Sequence, residues 1–271
     1  MKLDIGQAWN DATALMLGNK DMLGIVAAVF FFLPTLALSV LAPTAQLEAA
    51  AAGGSEQLQS AMMDFLAENW LLLLVYLAAS TVGSLTVFAL LGRRHRLTVG
   101  EALKTGLSAT LPYLVATLAI GMAAGLIFAI VGVVSAAISP VVGGILGIIL
   151  AALAVIALIR LLLIGPVMAA ENTLNPVSAI KRSWQLVTGN TRRVFLFVVL
   201  LTIAIFVVTS VLGIIFGLLG AVVGGPAGLW AESIPAAIIS AVSTVIMLSV
   251  YMSVYHGLSG SVSQAEIDTF E

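Results

Sequence analysis

Six stretches of this sequence, each about twenty residues or longer and nearly free of charge, restrict its fold more than any other feature. They cover residues 22–42, 68–91, 112–134, 141–164, 194–219 and 234–256. Coiled as a helix, an apolar run of that length matches the hydrocarbon thickness of a bilayer. Charged residues make up 9% of the chain, against roughly 25% in a soluble domain, so a water-soluble fold is excluded. The expected fold class is all-α: a polytopic membrane helix bundle with six transmembrane helices. Pro34 predicts a kink in the first. The first run starts near Met22 behind a segment holding both Asp4 and Asp11, a poor cationic leader, so it reads as a retained span rather than a signal peptide.

The connections carry the second level of organisation. Residues 175–190 read NPVSAIKRSWQLVTGN. Asn175 suits an N-cap, Pro176 the first helical position, and Gly189-Asn190 a stop. Val177, Ile180, Trp184 and Val187 make an apolar stripe, opposite Ser178, Lys181, Arg182, Gln185 and Thr188. A basic polar face opposite an apolar face with Trp is the pattern of a helix lying flat at a membrane surface. Aligned without gaps, Asp4–Asn19 and Thr98–Tyr113 repeat it. Caps fall at Asp4, Thr98 and Asn175, alanines four residues on at Ala8, Ala102 and Ala179, and breakers at Gly18, Pro112 and Gly189. Thr98 and Glu101 have the spacing of a capping box. The chain therefore reads as a single membrane domain of three units, approximately 4–92, 98–165 and 175–257, each an interfacial amphipathic helix followed by a helix pair. Residues 258–271 form a polar, acidic and loose tail, and residues 43–66 a polar connection with a turn at Gly53-Gly54-Ser55.

Charge assigns the sides. All eleven Lys and Arg lie in the N-terminal segment, in the second and fourth connections, or at Arg160 near the end of the fourth run. By the positive-inside rule, both termini and all three amphipathic helices are expected to be cytoplasmic. Trp9 and Trp184 then sit at the inner boundary, Trp70 and Trp230 at the outer one. These cations suit anionic lipid headgroups, with Arg93, Arg94, Arg182 and Arg193 as candidate contacts. They are too dispersed for nucleic acid.

Arg160 is the one charge in the interior of an apolar run, and such a charge is a functional candidate by default. The alternatives are snorkelling to lipid phosphates and pairing with Glu171. The last run carries Ser240, Ser243, Thr244, Tyr251 and Tyr255, a polar face that either lines a path or packs helix to helix. Gly121/Gly125, Gly143/Gly147 and Gly213/Gly217 permit close helix contact. No catalytic motif is present, Cys is absent, and the isolated His95 and His256 do not make a metal site. No cofactor is expected.

RLLLIGPVMAAENTLNPVSAIKRSWQLVTGNTRRVFLFVVL, together with the opening AWNDATALMLGNKDML and FFLP, resembles the membrane-domain family attached to some bacterial glycerophosphoryl diester phosphodiesterases, and related six-span inner-membrane proteins. The resemblance rests on Arg160, Gly165-Pro166, Asn175-Pro176, Ala179, Ser183-Trp184 and Gly189-Asn190. It implies a stand-alone membrane module in the bacterial cytoplasmic (inner) membrane, without the separate catalytic barrel of the fused enzymes. Trp9, Asn19, Arg160, Glu171, Asn175, Ser183, Trp184 and Asn190 are its candidate lipid, ligand or structural site. The expected function is a non-catalytic module that binds lipids, a partner protein or a second copy of itself. The alternative is a transporter or channel for a small or lipid-like solute, using the last run and Arg160.

Overall fold

The computed structural model describes residues 3–42, 45–92 and 97–269. Among these residues every regular element is helical. Six segments are long and apolar enough to cross a membrane: Lys20–Leu41, Ser55–Gly92, Val99–Val133, Val141–Ala170, Thr191–Val223 and Gly225–Gly260.

Helix α1 (Ile5–Gly18) starts at Asp4, whose carboxylate accepts the Gln7 N–H at 3.0 Å, and closes at Asn19, whose side chain donates to the Leu15 carbonyl at 2.9 Å. The first span follows as α2 (Lys20–Ala27), a π-helical turn (Ala28–Phe32) and α3 (Leu33–Leu41). Pro34 lacks an N–H and its ring crowds the carbonyl four residues back, and the widened turn just ahead of it accommodates both effects. Helix α4 (Ala45–Ala52) turns at Gly53-Gly54, where Gly54 has φ +106°, into α5 (Ser55–Gly92). Much of the expected connection over 43–66 is thus helical.

Helix α6 (Val99–Ile138) opens with the expected capping box: Thr98 N–H donates to Glu101 at 2.9 Å, and Glu101 N–H to the Thr98 hydroxyl at 3.3 Å. It then runs unbroken through Pro112. The second amphipathic segment is therefore not a separate helix but the first turns of the third span. A proline inside a spanning helix is tolerated where local adjustments absorb the one lost bond, here that to the Ser108 carbonyl. Helix α7 (Pro140–Leu161) breaks at Leu162-Leu163 and resumes as α8 (Ile164–Ala170). Gly165-Pro166, expected to end the span, instead lies in the first turn of its continuation, where a missing N–H is harmless.

Helix α9 (Pro176–Val187) is separate, and Gly189 with φ +89° makes the stop. Helix α10 (Thr191–Val223) is followed at once by α11 (Gly225–Thr269), with only Gly224 between them. The last helix includes Pro235 and continues through most of the stretch expected to be a loose tail.

The core sits at one end of this assembly. Leu85–Leu91 of α5, Leu163 and Ile164–Ala169 of α8, Val194 and Phe197 of α10, and Val250–Leu258 of α11 meet there with Leu3, Ala8, Ala12, Ala179 and Val187. Towards the other end α6, α7 and α10 present mostly exposed apolar side chains, as a lipid-facing surface does. The amphipathic segments pack on earlier or later spans through small residues. Ser253 of α11 donates to the Ala8 carbonyl, Leu3 lies against Gly257, and Met16 and Leu17 share a groove with Val242, Val245 and Ile246. Helix α1 thus runs antiparallel along α11, rather than crossing it as a helix flat on the bilayer would. Gly106 of α6 approaches α5 so closely that a Cβ there would fall 2.5 Å from the Thr86 hydroxyl. Of the three Gly pairs singled out in the sequence, only Gly143 makes such a contact, against Ser135; Gly121, Gly125, Gly147 and Gly213 face open space.

Gly106→Leu should lower stability by about 1–3 kcal/mol through overpacking against α5. Gly100→Ala, in the same helix with nothing within 4 Å, should be neutral or stabilise by up to about 1 kcal/mol. Unfolding in detergent of the two variants, followed by circular dichroism, compares them directly.

Candidate functional site

The polar side chains of the packed end form two linked groups. The first is built around Arg160. Because α7 ends at the next residue, its last carbonyls lack helical partners, and the hydroxyl of Ser183, on the buried side of α9, donates to the Arg160 carbonyl at 2.8 Å. The Arg160 guanidinium carbon lies 4.7 Å from the centre of the Trp184 ring, within cation–π range. Its Nε donates to the Thr191 hydroxyl at 3.3 Å. The second group is centred on Glu171. Its Oε1 accepts from Arg182 Nε at 3.1 Å and from the Tyr255 hydroxyl at 3.0 Å. Of the alternatives open for Arg160, pairing with Glu171 is therefore not what is found. The α8–α9 turn brings Arg182 to Glu171 instead.

Helix α9 turns a third side, of small residues and Leu186, to the protein. Ala179, Ser183, Leu186 and Val187 are its buried face, whereas Val177 and Trp184 are 57% and 39% exposed. Three sectors result: a small-residue face against the protein, an exposed apolar edge, and the polar face of Ser178, Lys181 and Gln185. Trp9 on α1 is likewise 42% exposed.

The remaining candidates separate by role. Asn175 caps α9, accepting the N–H groups of Val177 at 3.0 Å and Ser178 at 3.4 Å, and Asn19 caps α1. Asn190 accepts the Leu3 N–H at 3.0 Å while Arg193 donates to the Leu3 carbonyl at 2.7 Å, tying the N-terminal segment to the α9–α10 joint. Arg182 and Arg193, expected at lipid headgroups, both have protein partners; Arg93 and Arg94 lie outside the described residues, as does His95. His256 sits beside Tyr255, ring centroids 5.8 Å apart.

The expected polar face of the last span divides. Tyr255 belongs to the Glu171 group and Tyr251 packs against the core. Ser240, Ser243 and Thr244 line a cleft of about 500 Å³ between α10 and α11, beside Thr209. There the Thr244 hydroxyl donates to the Ser240 carbonyl at 2.8 Å, and that of Thr209 to its own helix at Phe206. Thr191 and the Ser253–Ala8 bond are additions of the structure. A hydroxyl just after a helix stop is the sequence signal for Thr191; Ser253 shows itself only as one more hydroxyl near the polar face of the last run, with nothing to point to Ala8.

Residues 134–269 match the family described as the membrane domain of glycerophosphoryl diester phosphodiesterase. The chain belongs to this family. The match takes in α7 to α11, and with them Arg160, the Glu171 group and the α10–α11 cleft. No curated protein matches the chain. No solved structure matches it either. What the family brings to this site is a membrane domain, in agreement with the six apolar helices.

Glu171→Gln and Tyr255→Phe should each cost about 1 kcal/mol, the Glu171 side chain being about a third exposed and its ion pair correspondingly weak. Because both act on one bond, the double variant should fall short of additivity by about 0.5 kcal/mol or more, measured as a double-mutant cycle of unfolding free energies.

Proposed function

We propose that this chain is a non-catalytic membrane module that binds anionic lipid headgroups at the cytoplasmic face of a bacterial inner membrane, with both termini on that side. The observation that carries the reading is the tie of Leu3 to Asn190 and Arg193. It joins the N-terminal segment to the α9–α10 joint, beside Lys181 and Arg192. Lys104, Lys181 and Arg192 are ion-paired with no carboxylate among the described residues. Trp9 and Trp184 are exposed beside them, as interfacial aromatic residues are. A cationic surface next to exposed Trp favours anionic headgroups.

The module is built as three versions of one unit, approximately residues 4–92, 98–165 and 175–257. The packing register supports this. Four residues after each cap stands a buried alanine, Ala8, Ala102 or Ala179. Eight residues after it stands Ala12, Gly106 or Ser183, each turned inward. The three segments rest on α11, α5 and α7 respectively, the second spanning helix of the last, first and second units. That order is cyclic, so the first unit closes on the third. The three segments are packed on other helices rather than afloat on the surface: the first runs along α11, the second opens its own spanning helix against α5, and the third sits on the end of α7.

The alternative, a path for a small or lipid-like solute, has the α10–α11 cleft in its favour. Its threonine hydroxyls are bonded to their own helices, which favours packing.

The chain has no Cys, so single-cysteine labelling is clean. In intact cells, Lys104→Cys and Lys181→Cys should be protected from an impermeant thiol reagent and Glu56→Cys labelled; the reverse pattern would overturn the orientation. In detergent, phosphatidylglycerol should raise the midpoint of thermal unfolding more than phosphatidylcholine, since a ligand of the native state stabilises it. Replacing Lys104 and Lys181 by Gln should shrink the difference, and equal shifts for both lipids in the wild type would refute headgroup binding.

A further inference from the structure

A groove of about 390 Å³ opens between α7 and α10 at the packed end. Its walls are Val155, Ile156, Ile159 and Phe195, and Arg160, Thr191 and Arg192 stand at its mouth. The volume falls in the range of small-molecule sites, roughly 300–1,000 Å³. Arg160 belongs to a candidate span, Val141–Ala170, where an ionised group needs a counter-charge. Among the described residues no carboxylate supplies it: the ion pair there is Arg182 with Glu171. Trp184 and Thr191 hold the guanidinium in place through its face and Nε. Its two terminal nitrogens have no partner among the described residues. A guanidinium fixed by its Nε edge, with its outer edge free, is arranged for bidentate contact with a phosphate or carboxylate. Arg192, the exposed second residue of α10, adds another cation, and the start of α10 places the positive end of its dipole at the same mouth.

We infer that this groove is a specific site for one anionic phospholipid, whose phosphate is held by Arg160 and Arg192 and whose acyl chain lies along Val155, Ile156, Ile159 and Phe195. The inference rests on the lipid reading above and deepens it from a cationic face to a single binding site. A phospholipid fits both parts of the groove: it is amphipathic, and it reaches a cleft between two spanning helices from the surrounding bilayer. A free phosphate ion satisfies the arginines but leaves the apolar walls empty.

The test is native mass spectrometry of protein released from vesicles of phosphatidylcholine with one-fifth phosphatidylglycerol, comparing the wild type with Arg160→Gln/Arg192→Gln and with Lys104→Gln/Lys181→Gln. The expected result is one tightly retained phosphatidylglycerol on the wild type and on the lysine variant. The arginine variant should retain it at least tenfold less. Retention unchanged in the arginine variant but lost in the lysine variant would overturn the groove while leaving headgroup binding intact. No preference for phosphatidylglycerol in the wild type would overturn both. Should the double arginine variant fail to fold, Arg192→Gln alone, at an exposed position, should still lower retention severalfold, and wild-type retention there would count against the site. Inorganic phosphate at millimolar concentration should not displace the lipid; if it does, the site is one for the free anion and the inference fails.

Discussion

Close approach between helix backbones, made possible by small side chains, is the constraint on which the packed end depends. Between helices in lipid the hydrophobic effect supplies little net attraction, because the acyl chains are as apolar as the partner helix. Contact then has to come from dispersion at short range and from hydrogen bonds. Ala8 and Ala12, Ala102 and Gly106, and Ala179 and Ser183 let α1, the start of α6 and α9 approach spanning helices, and Gly83, Gly165 and Gly220 do the same between spans. A Cβ at Gly165 would stand 2.6 Å from the Phe88 ring.

Hydrogen bonds then fix what the small residues bring near. Those made by Ser183, Ser253 and Asn190 each serve a backbone group of another element. Such bonds matter because an unpaired backbone group in an apolar setting costs several kcal/mol. Among the described residues no buried side-chain nitrogen or oxygen is left without a partner. Arg160 joins the two systems, since its carbonyl is part of the α7–α9 contact while its guanidinium faces the α7–α10 groove.

Packing is uneven along the bundle. The packed end has aliphatic, aromatic and polar contacts in several directions, whereas Met122, Ile148 and Phe206 at the other end are largely exposed. A soluble protein with such a surface would aggregate; in a bilayer the lipid covers it. The same division explains why the polar groups of interest collect at one end. Only there do separate elements converge closely enough to hold a guanidinium or a carboxylate in one position.

Local chemistry was legible in the sequence wherever the cause was local. Spanning helices follow from runs of apolar residues, caps at Asp4, Thr98 and Asn175 from side chains that reach their own next turn, and the stop at Gly189 from a backbone angle that glycine tolerates. The recurrent alanines were visible too, but not what they touch. Tertiary structure alone decided that Pro112 leaves α6 intact, that α9 buries Ala179 and Ser183 while leaving Val177 outside, that Glu171 meets Arg182 and Tyr255, and that Arg160 is left for the groove. Hydropathy and capping depend on neighbours a few residues away, whereas these outcomes depend on which of several competing partners, distant in the chain, the packed helices bring within bonding distance.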